Sequence, residues 1–411
     1  MAPQLTTLTL EQAESIAVTN QPRLLAAQLR VRASAERIRQ ARSGLMPTVQ
    51  FNATGALVAD TGTATALGNI TTSSLSDRFA YGGNLAQLVT DFGRTSALVS
   101  STRDIALAQS DIATLTRAQV RLNVREAYFR VLGAEAVLRA ARAAQANRQL
   151  VSRQLGALAQ SELRSTLDVN FSKVLESEAD LAVVRAESGV AQERVILATA
   201  MGASQPIRSA LADVSPSGEA LPPSPDDLQR QALAQRADLG AAQSEEKASK
   251  EFALAEKRLS YPSLNVLGAA GQIPYHDHTL HNDYAAAGFN LNIPIFNGNL
   301  FSARRAEAEL ESQARTRDTQ ELRLQVDEQV RNGWYRADEA FRSLDVTARL
   351  VAQSKEALRL AQDRYQAGLG SIVELNEAQL NETSAEISAA DANYTYLARR
   401  VELDFAAGLL N

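Results

Sequence analysis

The chain's three histidines fall close together: His276, His278 and His281, flanked by Asp277 and Asp283. A His-x-His pair with nearby carboxylates is a donor set suited to a divalent transition metal. The plainer reading is a polar loop with incidental histidines. A second group of candidates sits at two helix–turn–helix tips, with Asp168 in one and Glu374 and Glu377 in the other. Ser165 with Asp168, and Ser371 with Glu374, have the N-cap-to-N3 spacing at which an acid caps its own helix. Glu377 lacks that explanation and otherwise belongs to a solvated face. No Ser/His/Asp set, Walker sequence or HExxH occurs. Gly368-Leu369-Gly370 is no nucleotide fingerprint, because no strand precedes it. The absence of cysteine excludes a disulfide framework, a thiolate metal site and a cysteine nucleophile. The chain does not read as an enzyme, and nothing in it calls for a cofactor.

The elements that carry these residues are unusually long. From Phe92 to Gln160 there is no proline and, past the first turn, only Gly133 and Gly156. Apolar residues recur at heptad spacing, as in Leu98, Ile105 and Ile112, then Leu115, Leu122 and Phe129. That pattern predicts one helix packed along its whole length, about 100 Å at 1.5 Å per residue. It occurs twice. At an offset of 206, Val124-Arg125 meets Val330-Arg331, Tyr128-Phe129 meets Trp334-Tyr335, Asn170 meets Asn376 and Gly202 meets Gly408. A shorter helical segment, Glu11 to Ser43, reappears at offset 215 as Asp226 to Ser260. Residues 1–202 are therefore a first repeat: a helix, a hairpin over 47–91, a long helix over 92–160 and a partner helix over 167–201. Residues 203–225, rich in proline and serine, are a linker. Residues 226–411 are the second repeat: a helix, a hairpin over 262–297, a long helix over 299–367 and a last helix over 371–410.

After Pro47 and Pro262 the period changes to two. Val49, Phe51, Ala53, Gly55 and Leu57 alternate with Thr48, Gln50, Asn52 and Thr54, a polar loop covers Asp60 to Ser76, and Phe79, Tyr81, Gly83 and Leu85 return. In the second repeat Leu264, Val266, Gly268 and Ala270 go out, and Phe289, Leu291, Ile293 and Ile295 come back. Each hairpin has one apolar face and one face of small, nearly uncharged polar residues, the arrangement of a membrane barrel with lipid outside and water inside. Four strands cannot close a barrel, whereas three chains give twelve. A soluble coiled-coil scaffold with hairpins as docking tabs is the alternative, but it gives no reason for this alternation in four strands. The net charge of −5 argues against a nucleic-acid surface. No run of about 18 apolar residues is present, a test that a β-barrel escapes. Met1 to Gln4 has no basic start or apolar core, so export would require a signal already removed.

The prolines that open the hairpins, the Asp91–Arg94 and Phe296–Asn299 steps that leave them, the duplicated long helices and the turn Gly368-Leu369-Gly370-Ser371 before Val373-Glu374-Leu375 resemble the TolC-type outer-membrane efflux proteins. The resemblance covers essentially the whole chain. It implies an α+β membrane protein in which three chains form a twelve-stranded β-barrel in the outer membrane of a Gram-negative bacterium, continued by an α-barrel of long helices through the periplasm. Homotrimer, membrane lipid, a periplasmic adaptor and an inner-membrane pump of the RND, ABC or MFS type are the partners it implies. Glu374 and Glu377, with Asp168 and Arg164 of the first repeat, would line the periplasmic entrance. The tips at Leu163, Ser165, Gly368, Leu369, Gly370 and Ser371 would meet the adaptor. The family's basic residue before the turn serine falls on Gly370 here, whereas Arg164 fills that place in the first repeat.

Overall fold

Alanine- and leucine-rich segments without proline run as helices until a residue that cannot continue them. A computed structural model describes residues 7–57, 63–64, 73–74, 77–160, 165–214, 221–276 and 281–411. The helices are α1 (Leu10–Asn20), α2 (Pro22–Ser43), α3 (Arg94–Gln160), α4 (Thr166–Ala200), α5 (Asp226–Gln235), α6 (Ala237–Lys257), α7 (Leu300–Gln366) and α8 (Ile372–Ala406). The strands are β1 (Thr48–Ala56), β2 (Thr63–Ala64), β3 (Ser73–Ser74), β4 (Arg78–Thr90), β5 (Ser263–Tyr275) and β6 (Asp283–Asn292). The duplication is exact in length: α3 and α7 have 67 residues each, and α4 and α8 have 35 each. No described helix is long and apolar enough to cross a membrane.

Four details depart from the sequence reading. The segment 11–43 is two helices, broken at Gln21, where the next residue is proline and suits a first helical position. The segment 226–260 is likewise broken, at Arg236, and its last three residues form a 3-10 turn. The return strand of the second hairpin stops at Asn292, so Ile293 and Ile295 lie beyond it; Pro294 has no N–H for a ladder. Within the stretch read as a loop, β2 and β3 pair with each other.

The chain divides into two units. The helical unit comprises residues 1–29, 111–240 and 321–411. Its core holds Leu24, Val124, Tyr128, Phe129, Val131, Leu197 and Met201, with Val326, Val330 and Ala406 in a second cluster. The two repeats solve the same problem with different side chains. Each partner helix ends in a glycine of positive φ, Gly202 at 75° and Gly408 at 77°, whose N–H turns back to a carbonyl three residues earlier. Carbonyls at these helix ends are also met by the helix-break residue. Gln21 donates its amide to Thr199 O at 3.1 Å and Ala200 O at 2.9 Å, and the Arg236 guanidinium donates to Ala406 O at 3.2 Å. Arg236 also binds Asp238 at 2.6 Å and Gln329 at 2.8 Å, with only 6% of its side chain exposed. Replacing Arg236 by alanine removes the cation beside Asp238, which keeps only the Leu239 N–H at 2.9 Å, and takes the guanidinium from the Ala406 carbonyl. It is expected to cost about 3 kcal/mol, against about 1 kcal/mol for Gln21→Ala. Denaturant unfolding followed by circular dichroism checks the order; equal costs would show that the buried ion pair adds nothing to the cap.

The equivalent aromatics Tyr128 and Trp334 tie down the segments that run across the helices. The Tyr128 hydroxyl lies 2.8 Å from Leu8 O and 2.7 Å from Ala212 O, where Leu8 and Leu211 form a parallel bridge. Burial, the largest influence, pushes that phenol up to about 12. Trp334 Nε1 donates to Pro222 O at 2.9 Å. The ring pairs Tyr128–Phe129 and Trp334–Tyr335 are edge-on, but Tyr335 itself is exposed.

The second unit comprises residues 30–110 and 241–320. It contains an antiparallel sheet in the order β1-β4-β5-β6, so β1 and β6 are its two edges. The register places Val49 opposite Leu85, Gly55 opposite Phe79, Val266 opposite Phe289 and Leu264 opposite Leu291, all on one face. The other face carries Thr48, Gln50, Asn52 and Thr54, with Asn265, Asn290 and Asn292. The apolar face is bare in the single chain: Phe51 is 73% exposed and Phe289 76%. At Gly82 and Gly271, paired across β4 and β5, the backbones approach so closely that an added Cβ would lie 2.5 Å or less from a carbonyl oxygen. The chain leaves the sheet through two successive positive φ angles in each repeat, Phe92 and Gly93, then Gly298 and Asn299. Asp91 closes the first step by accepting the N–H of Gly93 at 3.1 Å and of Thr95 at 2.7 Å.

Candidate functional site

The turn between α7 and α8 is built from its ends inward. α7 stops in a Schellman arrangement: Gly368 has φ 73°, its N–H reaches Tyr365 O at 3.2 Å, and the Leu369 N–H reaches Arg364 O at 2.9 Å. Ser371 then caps α8, its hydroxyl accepting the Glu374 N–H at 3.1 Å. The Glu374 carboxylate faces Arg364, 3.9 Å away, with both side chains more than half exposed. An added Cβ at Gly370 would come within 3.3 Å of both Arg364 Cβ and Glu374 Oε2, so the missing side chain leaves room for this pair. Arg364 thus supplies, from the last turn of α7, a cation that Gly370 does not. Its counterpart at offset 206 is Leu158, so the repeat gives no signal for it. Glu377 is exposed one turn further along α8.

In the first repeat the Ser165 hydroxyl caps α4 through the Leu167 N–H at 3.1 Å, one residue earlier than the N3 position. Asp168 is half-buried in the first turn. Leu163 and Arg164 lie outside the described residues, as does His278. His276 Nε2 lies 2.8 Å from Asn282 Oδ1. Among the described residues no group of three or more metal-ligating side chains is brought together.

Behind the turn lies a feature that spacing did not reveal. Arg148 of α3 is buried and donates to Asn376 Oδ1 of α8 at 2.5 Å. Burial holds its guanidinium below the usual arginine range, with Glu178 acting in the opposite direction. The equivalent of Arg148 is Ser354, so this contact between α3 of the first repeat and α8 of the second has no counterpart at the equivalent positions.

A long duplicated helical hairpin with a four-stranded sheet in each chain is the architecture of the outer-membrane efflux proteins, and the family model for "Outer membrane efflux protein" matches residues 15–203 and 228–409. The chain belongs to that family. Its place is accordingly the outer membrane, and the family is one of efflux proteins rather than enzymes. Among curated relatives, the outer membrane protein TolC of Escherichia coli K12 is 24% identical over 152 residues, 37% of this chain and 30% of TolC. The aligned part therefore spans less than a third of that relative. Among solved structures, a membrane protein from Pseudomonas aeruginosa superposes with a TM-score of 0.86 at 21% identity, covering 97% of this chain and 93% of that one. The MtrE outer membrane channel of Neisseria gonorrhoeae, in its open state, gives 0.82 at 22% identity, covering 97% and 88%. At these identities the likeness shows the fold.

Proposed function

We propose that the protein is the passive exit duct of a tripartite efflux or type I secretion system, working as a homotrimer. The observation that carries this reading is the sheet: four strands, open at β1 and β6, with a bare, largely apolar face and a face of largely uncharged polar residues. An exposed edge strand invites pairing with another chain. Joining β6 of one copy to β1 of the next, three times, gives twelve strands, an even number of the size that encloses a water-filled lumen. The apolar face then meets lipid, and the threonines and asparagines meet water. The helices continue the duct on the periplasmic side, and the turns at Ser165 and at Gly368–Ser371 offer the surface for a periplasmic adaptor. Energy for transport comes from an inner-membrane pump, since the chain carries no nucleotide-binding sequence. Glu374 and Glu377, brought together around the three-fold axis, make the entrance cation-preferring.

The test uses the protein in detergent. Light scattering is expected to give the mass of three chains. The absence of native cysteine allows Gln50→Cys and Asn290→Cys, placed in one chain, to be joined by a flexible bismaleimide into a ladder that ends at three. A ladder ending at two, or a monomeric mass, would overturn the proposal.

A further inference from the structure

One row across the polar face of the sheet consists of Asn52, Gly82, Gly271 and Tyr284. Among the described residues of β1, β4, β5 and β6, Gly82 alone is buried. Tyr284 covers it. The phenol oxygen lies 2.6 Å from the point where a Cβ on Gly271 would stand, and nearer still to that point on Gly82. It is thus held at the height of a β-carbon, so the side chain lies along the sheet instead of standing away from it. The other aromatics of these strands, Phe51, Phe79, Tyr81, Tyr275 and Phe289, fall on the opposite face. The next row of the polar face, Gln50, Asn84, Ala269 and Ala286, carries nothing larger than an amide. Glycine inside a strand weakens it, and a ring laid over the glycines recovers buried apolar surface.

We propose that Tyr284 sets the size of solute that can leave through the outer end of the lumen, and that Gly82 and Gly271 hold it at its wide setting. The inference rests on the duct reading, which turns this face toward water. Three chains bring three such rings to one level, beside the loops that join β5 to β6. Seated on glycine, each ring adds only its thickness to the wall. Pushed off that seat, it projects into a passage whose diameter decides what goes through.

The absence of native cysteine allows Asn290→Cys to place a thiol on the same face of β6, farther from the β5–β6 loop. The probes are maleimides on polyethylene glycol chains of increasing mass, added to whole Gram-negative cells that carry the protein in their outer membrane. The largest polymer that reacts reads the width of the outer mouth. Gly82→Ala, whose Cβ takes the place of the hydroxyl, is expected to lower that limit about two-fold in mass. Adding Tyr284→Ala to it is expected to restore the limit. The alanine Cβ also meets Ala270 O at 2.5 Å, so Gly82→Ala is paired with Tyr284→Trp, whose indole is broader than the seat and is expected to lower the limit as well. If Gly82→Ala fails to assemble, Tyr284→Trp decides alone. The same limit in the parent and in every variant that assembles would overturn this inference and leave the duct reading standing. A Gly82→Ala loss that Tyr284→Ala does not restore would overturn it too. No reaction of the parent thiol with even the smallest maleimide would overturn both.

Discussion

Phe51→Arg or Phe289→Arg is expected to destabilise the assembled protein by about 2–4 kcal/mol, while Asn52→Arg and Asn290→Arg leave its stability nearly unchanged. The four positions lie on two neighbouring strand pairs, and the register puts the phenylalanines on one face and the asparagines on the other. A charged side chain on the phenylalanine face would sit in hydrocarbon at the mid-membrane level. On the asparagine face it would project into water and change conductance instead. The measurement is the fraction folded in lipid vesicles across a denaturant series, paired with single-channel current. Similar losses on both faces would mean that neither meets lipid, and the barrel reading would fall.

Replacing both Glu374 and Glu377 with glutamine is expected to weaken block by a trivalent cation, added on the periplasmic side of a planar bilayer, by ten-fold or more. One unit charge pair at 4 Å is worth about 4 kcal/mol at an effective dielectric constant of about 20. A third of that already amounts to about ten-fold in affinity. The two acids are not equal in this respect. Arg364 stands 3.9 Å from Glu374 and offsets part of its charge, whereas no cation among the described residues pairs with Glu377. Glu377→Gln should therefore weaken block more than Glu374→Gln, and Arg364→Ala should strengthen it. The N-cap bond survives all three changes, because it uses the Ser371 hydroxyl and the backbone N–H of residue 374. Unchanged block in the double variant would show that these acids only solvate their helix.

Much of this architecture could be read from residue spacing. The internal offset of 206 located both long helices and their partners, and period-two alternation located the four main strands. These signals are strong because they are repeated many times along the chain. The misses were single events. Pro22 fits the first turn of a helix as readily as its end, and nothing in Gln235-Arg236-Ala237 marks a break, since Arg236 is held by partners far away in sequence. Arg364 and Arg148 escaped for a related reason. Each contact joins residues of different elements, has no counterpart in the other repeat, and depends on which way a long side chain turns. The acids at the turn could be named from sequence; the cation that tempers one of them could not.

The equal lengths of the paired helices have a consequence for how such a chain can change. Adding one residue inside a 67-residue helix turns everything after it by about 100° and exchanges its packed side for its wet one. Adding residues to a loop between strands costs only the slowly growing entropy of closing it. The two copies obey that asymmetry. Their offset is 215 before the hairpins and 206 after them, so the first hairpin is longer by nine residues. The helices beyond have kept the same count to the residue. Length has been free to drift only where it carries no rotational phase, and the hairpin loops are therefore where insertions, epitope tags or grafted segments should be accepted without disturbing the helices.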